Sequence, residues 1–282
     1  MNKLFALVLA VTGSAASAQT PTTNPMPDGS RDMYVGLGVA SAPRFEGADS
    51  SRVRALPVLQ VQWSNGVFVS GMSAGMHLSQ QPTVEYGPLL NLHPRRSESG
   101  SGGRIGAIEG ASVLAPGPMR YRLSLDNPLA GMDEIKLRPE LGGFFNVYLA
   151  PEWRLTGSVL AGAGNDRNGL RGELGIQRLA VQVAPHHTVS LSAGFTFVNS
   201  AYNRAYFGVS SAESLVTGHP HYRPDGGLKD VHAGARWNWA LSPSWMLTSS
   251  VQASRLLGDA RRSPLVERPN NVTVSTAFAY RF

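Results

Sequence analysis

The chain has 282 residues, of which 31 are Gly and none is Cys, with 42% hydrophobic and 16% charged side chains. The missing thiols exclude a disulfide scaffold and any Cys-ligated zinc or iron–sulfur site, and the apolar content excludes an intrinsically disordered chain. Lys and Arg outnumber Asp and Glu by 25 to 19, but the only lysines are Lys3, Lys136 and Lys229, so the basic charge is nearly all Arg, the residue suited to ion pairs. These Arg are dispersed and not concentrated with aromatics, so no nucleic-acid binding is expected.

In chain order, residues 1–18 read as a signal peptide: Lys3 is the positive start, Leu4 to Val11 the apolar run and Ala16-Ser17-Ala18 the cleavage site. Residues 19–30 are rich in Pro and Thr and read as a flexible periplasmic leader, which leaves 31–282 as the folded unit. No later stretch approaches the ~20 consecutive apolar residues of a spanning helix.

From Asp32 the hydrophobic period is two. Val272, Val274, Thr276, Phe278, Tyr280 and Phe282 alternate with Thr273, Ser275, Ala277, Ala279 and Arg281. The same rhythm runs through 189–197, 231–239 and 137–149. Segments of about ten residues with one apolar face, and a second face that is small or charged, predict an all-β, antiparallel transmembrane β-barrel whose apolar face meets lipid. A soluble sandwich alternates as well, but here connection lengths alternate too. Turns at 151–152, 184–187 and 241–244 are short, whereas 94–134, 199–227 and 256–270 are long. Short periplasmic turns and long external loops are the outer-membrane arrangement. Trp63, Trp153, Trp237, Trp239 and Trp245 all fall beside short turns on the apolar phase, which predicts one interfacial girdle.

Strands are expected at 32–40, 53–63, 83–93, 136–150, 153–163, 169–183, 188–198, 228–240, 245–255 and 271–282, with a Gly-rich piece at 67–79. Both chain ends belong in the periplasm, so that piece must split near Gly71, giving about 12 strands; fusing it with its predecessor gives 10. Ser64-Asn65-Gly66 is a strong hairpin turn and favours 12. The inward phases carry Arg54, Glu85, Arg138, Glu140, Arg171, Glu173, Arg236 and Arg281. At this strand number the lumen lies between filled and open barrels, so these charges are expected to pair and largely plug it.

Three stretches together resemble one family, the MipA/OmpV outer-membrane proteins, also called MltA-interacting proteins. They are Gly36 to Asp49 with its Pro43, Phe45, Gly47 and Asp49 loop, followed by Leu56-Pro57; Ala205 to Ser210, with Tyr206 and Gly208; and Arg255 to Ala260, with Asp259, leading to Ser263-Pro264. The resemblance implies an outer-membrane location and a scaffold that brings a lytic transglycosylase to a murein synthase, not an enzyme. Surface adhesion and antibiotic entry are also described within the family. The terminal Tyr280-Arg281-Phe282 resembles the signal read by the barrel-assembly machinery.

Catalytic and metal signals are weak. Gly71-Met72-Ser73-Ala74-Gly75 fits G-x-S-x-G, but no helical period follows, so a bend or hairpin is expected there. His186-His187 and His219-Pro220-His221 lack a third ligand at a persuasive spacing, and no metal or cofactor is expected. The functional expectations are a non-enzymatic scaffold in contact with outer-membrane lipids, with a narrow channel, an adhesin and a hydrolase as alternatives.

Overall fold

The computed structural model describes residues 31–79, 81, 83–102 and 127–282. The signal peptide 1–18, the leader 19–30 and positions 103–126 of the long connection lie outside the described residues.

Twelve strands close into an antiparallel barrel. They are β1 (Arg31–Pro43), β2 (Ser51–Trp63), β3 (Val67–Ser70), β4 (Ser73–Met76), β5 (Val84–His93), β8 (Arg138–Ala150), β9 (Trp153–Ala163), β10 (Gly169–Ala184), β11 (His187–Val198), β12 (Gly227–Ala240), β13 (Trp245–Leu256) and β14 (Asn270–Arg281). The short β6 (Arg95–Ser97) and β7 (Gly100–Gly102) form a hairpin outside the wall. β1 closes on β14 in a register that sets Tyr34 opposite Arg281 and Ser41 opposite Val274. Gly71, at φ 60, turns β3 into β4, so the Gly-rich piece does split there.

Alternation decides which side chain meets which medium. Leu37, Val53, Leu141, Leu174, Phe195 and Val274 are all exposed on the outer wall. Against lipid such exposure carries no hydrophobic penalty, whereas in water it would forfeit ~1.5–3 kcal/mol per large side chain. The lumen phase is small or polar, with Gly36, Gly38, Ala277 and Ala279 along the closing seam. At Gly36 a Cβ would fall 2.2 Å from the Phe278 carbonyl oxygen, so β1 and β14 close only because glycine stands there.

The period-two reading misses three helices, all in connections: α1 (Ser200–Phe207), α2 (Ser211–Thr217) and α3 (Gly258–Arg262). Each is too short for hydrophobic periodicity to register, but the caps of α1 and α2 are in the sequence. Asn199 accepts from the Tyr202 amide at the start of α1, and Ser210 with Glu213 forms a full capping box on α2. Among the described residues no helix is long and apolar enough to cross a membrane. β10 also departs from strict alternation beyond Arg178, with register shifts after Arg178 and Gln182, while Arg178 itself keeps the outward phase of Leu174 and Ile176 and lies over the Trp153 ring.

Candidate functional site

The lumen holds a cavity of about 1140 Å³, reaching from Ala42 and Arg54 near the long-loop end down to the Ser64-Asn65-Gly66 turn and to His77 and Ser79 at the short-turn end. It is hollow because its walls carry Ser190, Ser192, Gly234, Ser250, Ser275 and Ala277, whose small side chains leave the axis empty. The expected plug is therefore confined to one end.

At the outer end the wall charges pair. Glu140, with no exposed side-chain surface, accepts from Asn91 at 2.8 Å and Arg171 at 2.9 Å, and His93 Nδ1 lies 3.1 Å from it. Arg171 also holds Glu173 at 2.6 Å. A carboxylate buried this deeply is tolerated because its Oε2 accepts from two fixed donors, one of them the Arg171 guanidinium. Lower in the lumen, Glu85 accepts from Asn146 and from the Tyr148 hydroxyl, each at 2.8 Å, and Arg154 donates to Gln177 at 2.9 Å. Arg54 and Arg236 line the same cavity. Arg138 and Arg281 share the lumen phase but sit at opposite rims: Arg138 donates to Asn165 in the β9–β10 connection, and Arg281 pairs with Asp32 at 2.7 Å where β1 begins and β14 ends.

Above the charges the long connections pack into a cap. Phe45 and Ala48 from the β1–β2 loop, Leu129 and Met132, Val209 and Leu265 form one buried cluster. Ala163, Val198, Tyr202, Phe207, Leu256 and Ala260 form a second, with Tyr206 and Val266 against it. Burial, reinforced by the Glu46 carboxylate, pushes the Tyr202 and Tyr206 hydroxyls well above their ordinary titration range. Lys229 is buried, donates to both Glu46 oxygens at 2.7 and 3.0 Å, and lies 3.1 Å from Asp230. It thereby fastens the β1–β2 loop to β12. Its Nζ also stands 5.6 Å from the centre of the Tyr202 ring.

The sequence motifs that lay far apart meet in this cap. The Gly47 amide donates to Asn271 at 2.8 Å, while the Gly47 carbonyl accepts from Glu267 and Arg268 at 2.8 and 2.9 Å. With φ 96 and a Val266 methyl 2.8 Å from where a Cβ would stand, this position requires glycine. Asp49 donates its amide to Glu267 at 3.0 Å. Gly208 ends α1, buried, with the Arg204 carbonyl oxygen 2.5 Å from a would-be Cβ. The Asp259 carboxylate accepts from the Asp225 amide at 2.8 Å and pairs with Arg262, which lowers its pKa, and its carbonyl accepts from Tyr222 at 2.9 Å. Ser263, beside the half-buried Pro264, donates to the Phe207 carbonyl at 2.7 Å. Pro43 is the last residue of β1, opposite Ser51.

The other end is built differently. Trp63, Trp153, Trp237, Trp239 and Trp245 all occupy strand ends beside the short turns. His187 stacks on Trp237 and Trp239 with centroids 5.5 and 5.2 Å away, and Trp245 stacks on Phe278 at 4.6 Å. The Phe282 ring leans on Tyr280, and its amide donates to the Met33 carbonyl at 3.0 Å. Ser73 of the G-x-S-x-G stretch lies in a strand–turn–strand, and its hydroxyl donates to Asn91 at 3.0 Å. His219 contacts the Pro128 carbonyl at 3.0 Å, and no group of three or more potential metal ligands occurs among the described residues.

A family model described as MltA-interacting protein MipA matches residues 35–282, from β1 to the last residue. The chain belongs to that family. Two curated relatives align with a shorter part of it. Outer membrane protein Omp26La of Vibrio anguillarum is 30% identical over 90 residues, 32% of this chain and 34% of its own length. Outer membrane protein OmpV of Vibrio cholerae is 29% identical over 90 residues, covering 32% and 34%. The match thus spans about a third of each relative. Among solved structures, the NanC porin aligns over 90% of this chain and 100% of its own at 7% identity, with a TM-score of 0.37. A bacterial polysaccharide outer membrane secretin aligns over 89% and 98% at 11% identity, with a TM-score of 0.38. The MipA-family chain is an outer-membrane β-barrel.

Sequence reasoning picked the MipA-family motif residues without seeing that they share one cap, and it missed Glu46, Lys229 and Asp230. A signal existed: Lys229 is the only Lys after residue 136 in a chain that otherwise uses Arg. Asn91 and His93 went unnoticed because the Glu140 site joins residues from β5, β8 and β10.

Proposed function

We propose that this MipA-family barrel is a non-enzymatic scaffold whose short-turn, periplasmic face holds cell-wall enzymes, a lytic transglycosylase and a murein synthase, at the outer membrane. The observation that supports it best is the cap. Two apolar clusters and the Lys229–Glu46 tie pack the long connections together over the outer end of the lumen, which favours a scaffold over an open pore. What stays reachable from the periplasm is the rim, with Trp153, Arg178 and the Pro185-His186 turn. Aromatic and Arg side chains are those that concentrate binding energy at interfaces. The family description as an MltA-interacting protein points the same way.

The test is affinity recovery from crosslinked envelopes. Mutating the periplasmic turns and deleting 19–30 should abolish recovery of the two enzymes while heat-modifiable migration of the barrel is unchanged, and removing 199–227 should leave recovery intact. Loss on loop removal with no effect of turn mutations would sink the scaffold reading. The second reading, passage of small solutes, draws on the 1140 Å³ lumen cavity. A reproducible planar-bilayer conductance by the unmodified protein would favour it.

A further inference from the structure

Arg is distributed unevenly around the lumen. From β5 to β10 it comes with acids: Arg171 holds Glu140 at 2.9 Å and Glu173 at 2.6 Å, and Arg154 stands 3.9 Å from Glu85. The other half of the wall carries Arg54 on β2 and Arg236 on β12, and the strand register puts the two on one row of rungs. Arg236 lies opposite Ser190 on one side and Ser250 on the other; Ser250 lies opposite Ser275, Ser275 opposite Ala40, and Ala40 opposite Arg54. Four strand steps separate the two Arg, a third of the way round the wall and about 19 Å of arc at the usual strand spacing.

The whole row lines the 1140 Å³ cavity. Its middle is low, since the Ser250 and Ser275 hydroxyls lie 2.8 Å apart and Ala40 adds only a methyl group, so the cavity comes up to the wall between the two long Arg side chains. Among the described residues, the charged side chains on the cavity wall are Arg54, Arg154, Arg171 and Arg236 against Glu85 and Glu173. Adding Glu140 from behind Arg171 leaves the sum positive, and Asp230 behind His232 is matched by Lys229 at 3.1 Å. Residues 103–126 carry Arg104, Arg120 and Arg122 against Glu109 and Asp126, so their charge is positive as well. A cleft whose low-dielectric walls carry an excess of one sign focuses its field inward and concentrates ions of the other sign.

We propose that the lumen binds a small organic anion, whose carboxylate or phosphate groups are held by Arg54 and Arg236 and whose other polar groups meet the Ser190, Ser250 and Ser275 hydroxyls. The planar guanidinium fork matches a carboxylate or a phosphate with two parallel bonds, and a serine hydroxyl both donates and accepts. The proposal names the solute class for the cavity, so it rests on the solute reading of the lumen and not on the periplasmic scaffold.

The absence of native Cys allows single-site modification, and Ser275→Cys places one thiol on the row. The folded protein in detergent is treated with two methanethiosulfonates, one bearing a sulfonate and one a quaternary ammonium, and each rate is divided by that for a small thiol in solution. The normalised sulfonate rate should exceed the ammonium rate about tenfold, the low end for a focused field. Millimolar citrate at constant ionic strength should slow the sulfonate reaction severalfold, and Arg54→Gln with Arg236→Gln should bring the ratio close to one. Ser250→Cys serves on the same row if Ser275→Cys fails to fold, and loss of the preference at high salt is the parallel measurement if the double Arg variant does. Equal rates for the two reagents, no protection by citrate, or a preference that survives the Arg substitutions overturns the anion site while leaving the cavity open to solutes. No reaction with either reagent overturns both the site and the solute reading.

Discussion

The two ends of this barrel solve the same problem, ending a sheet, by opposite means. At the short-turn end, strands stop where they meet the headgroups: turns as tight as Pro151-Glu152 and Pro185-His186 link them, and stacked rings such as Trp245 on Phe278 face the lipid. At the long-loop end the strands run into a small folded layer with its own apolar clusters, three short helices and a buried ion pair. The difference teaches where structural information is stored. The turn end is specified locally, by residues a few positions apart, whereas the cap is specified by residues such as Gly47 and Asn271, 224 positions apart.

The sharpest way to break that contrast is to remove one cap anchor. Phe207→Ala should cost ~3–5 kcal/mol, the range for a large buried aromatic. It should lower the temperature of heat-modifiable migration and let planar-bilayer conductance appear, while a turn substitution such as Glu152→Ala leaves both unchanged. If Phe207→Ala stays silent in the bilayer, the cap does not close the mouth.

Next in size is the wall between the two ends. Phe195→Arg or Val274→Arg should cost ~2–4 kcal/mol near the bilayer midplane, measured by urea titration in vesicles, against a smaller effect for Ser192→Arg in the lumen. Equal costs would invert the phase on which the whole barrel rests.

The smallest expected effect separates the ends by pH. Burial pushes the Glu213 carboxyl up, but bonds from the Ser210 amide and hydroxyl and from the Asp133 amide hold its pKa below the ordinary value of 4.5. A depressed carboxylate contributes stability above its unfolded pKa and loses it as pH falls through the folded one. Acidification below 4.5 should therefore loosen α2, seen as faster amide exchange over 211–217. The short turns should not respond in that window.

Much of the wall was legible because each strand announces itself. The segment 153–163 coincides with β9, and 188–198 falls one residue short of β11. Period two over ten residues is a strong signal, and Ser64-Asn65-Gly66 is chemically a turn. The cap was legible only as motifs, since Phe45, Gly208 and Asp259 say nothing alone about meeting one another. Helices α1 to α3 were illegible to a hydrophobic period because none reaches three turns. The Glu140 site was half legible: Arg171 and Glu173 stand on the inward phase, but the depth at which they meet Asn91 and His93 depends on barrel stagger, which no single strand encodes.

The seam between β1 and β14 has a consequence for how the molecule is made. Hairpins such as β12–β13 join neighbours in the chain and can zip as soon as both strands are present. The seam joins residues as far apart as Asp32 and Arg281, separated by 249 positions, and its last rung is the Phe282 amide on Met33. Until β14 pairs with β1 the sheet has two open edges, each a template for pairing with another chain. Closure is thus a late event with a high entropic threshold, and removing the last two residues takes away its lowest rungs, the Arg281–Asp32 pair and the Phe282–Met33 bond, while leaving every hairpin intact.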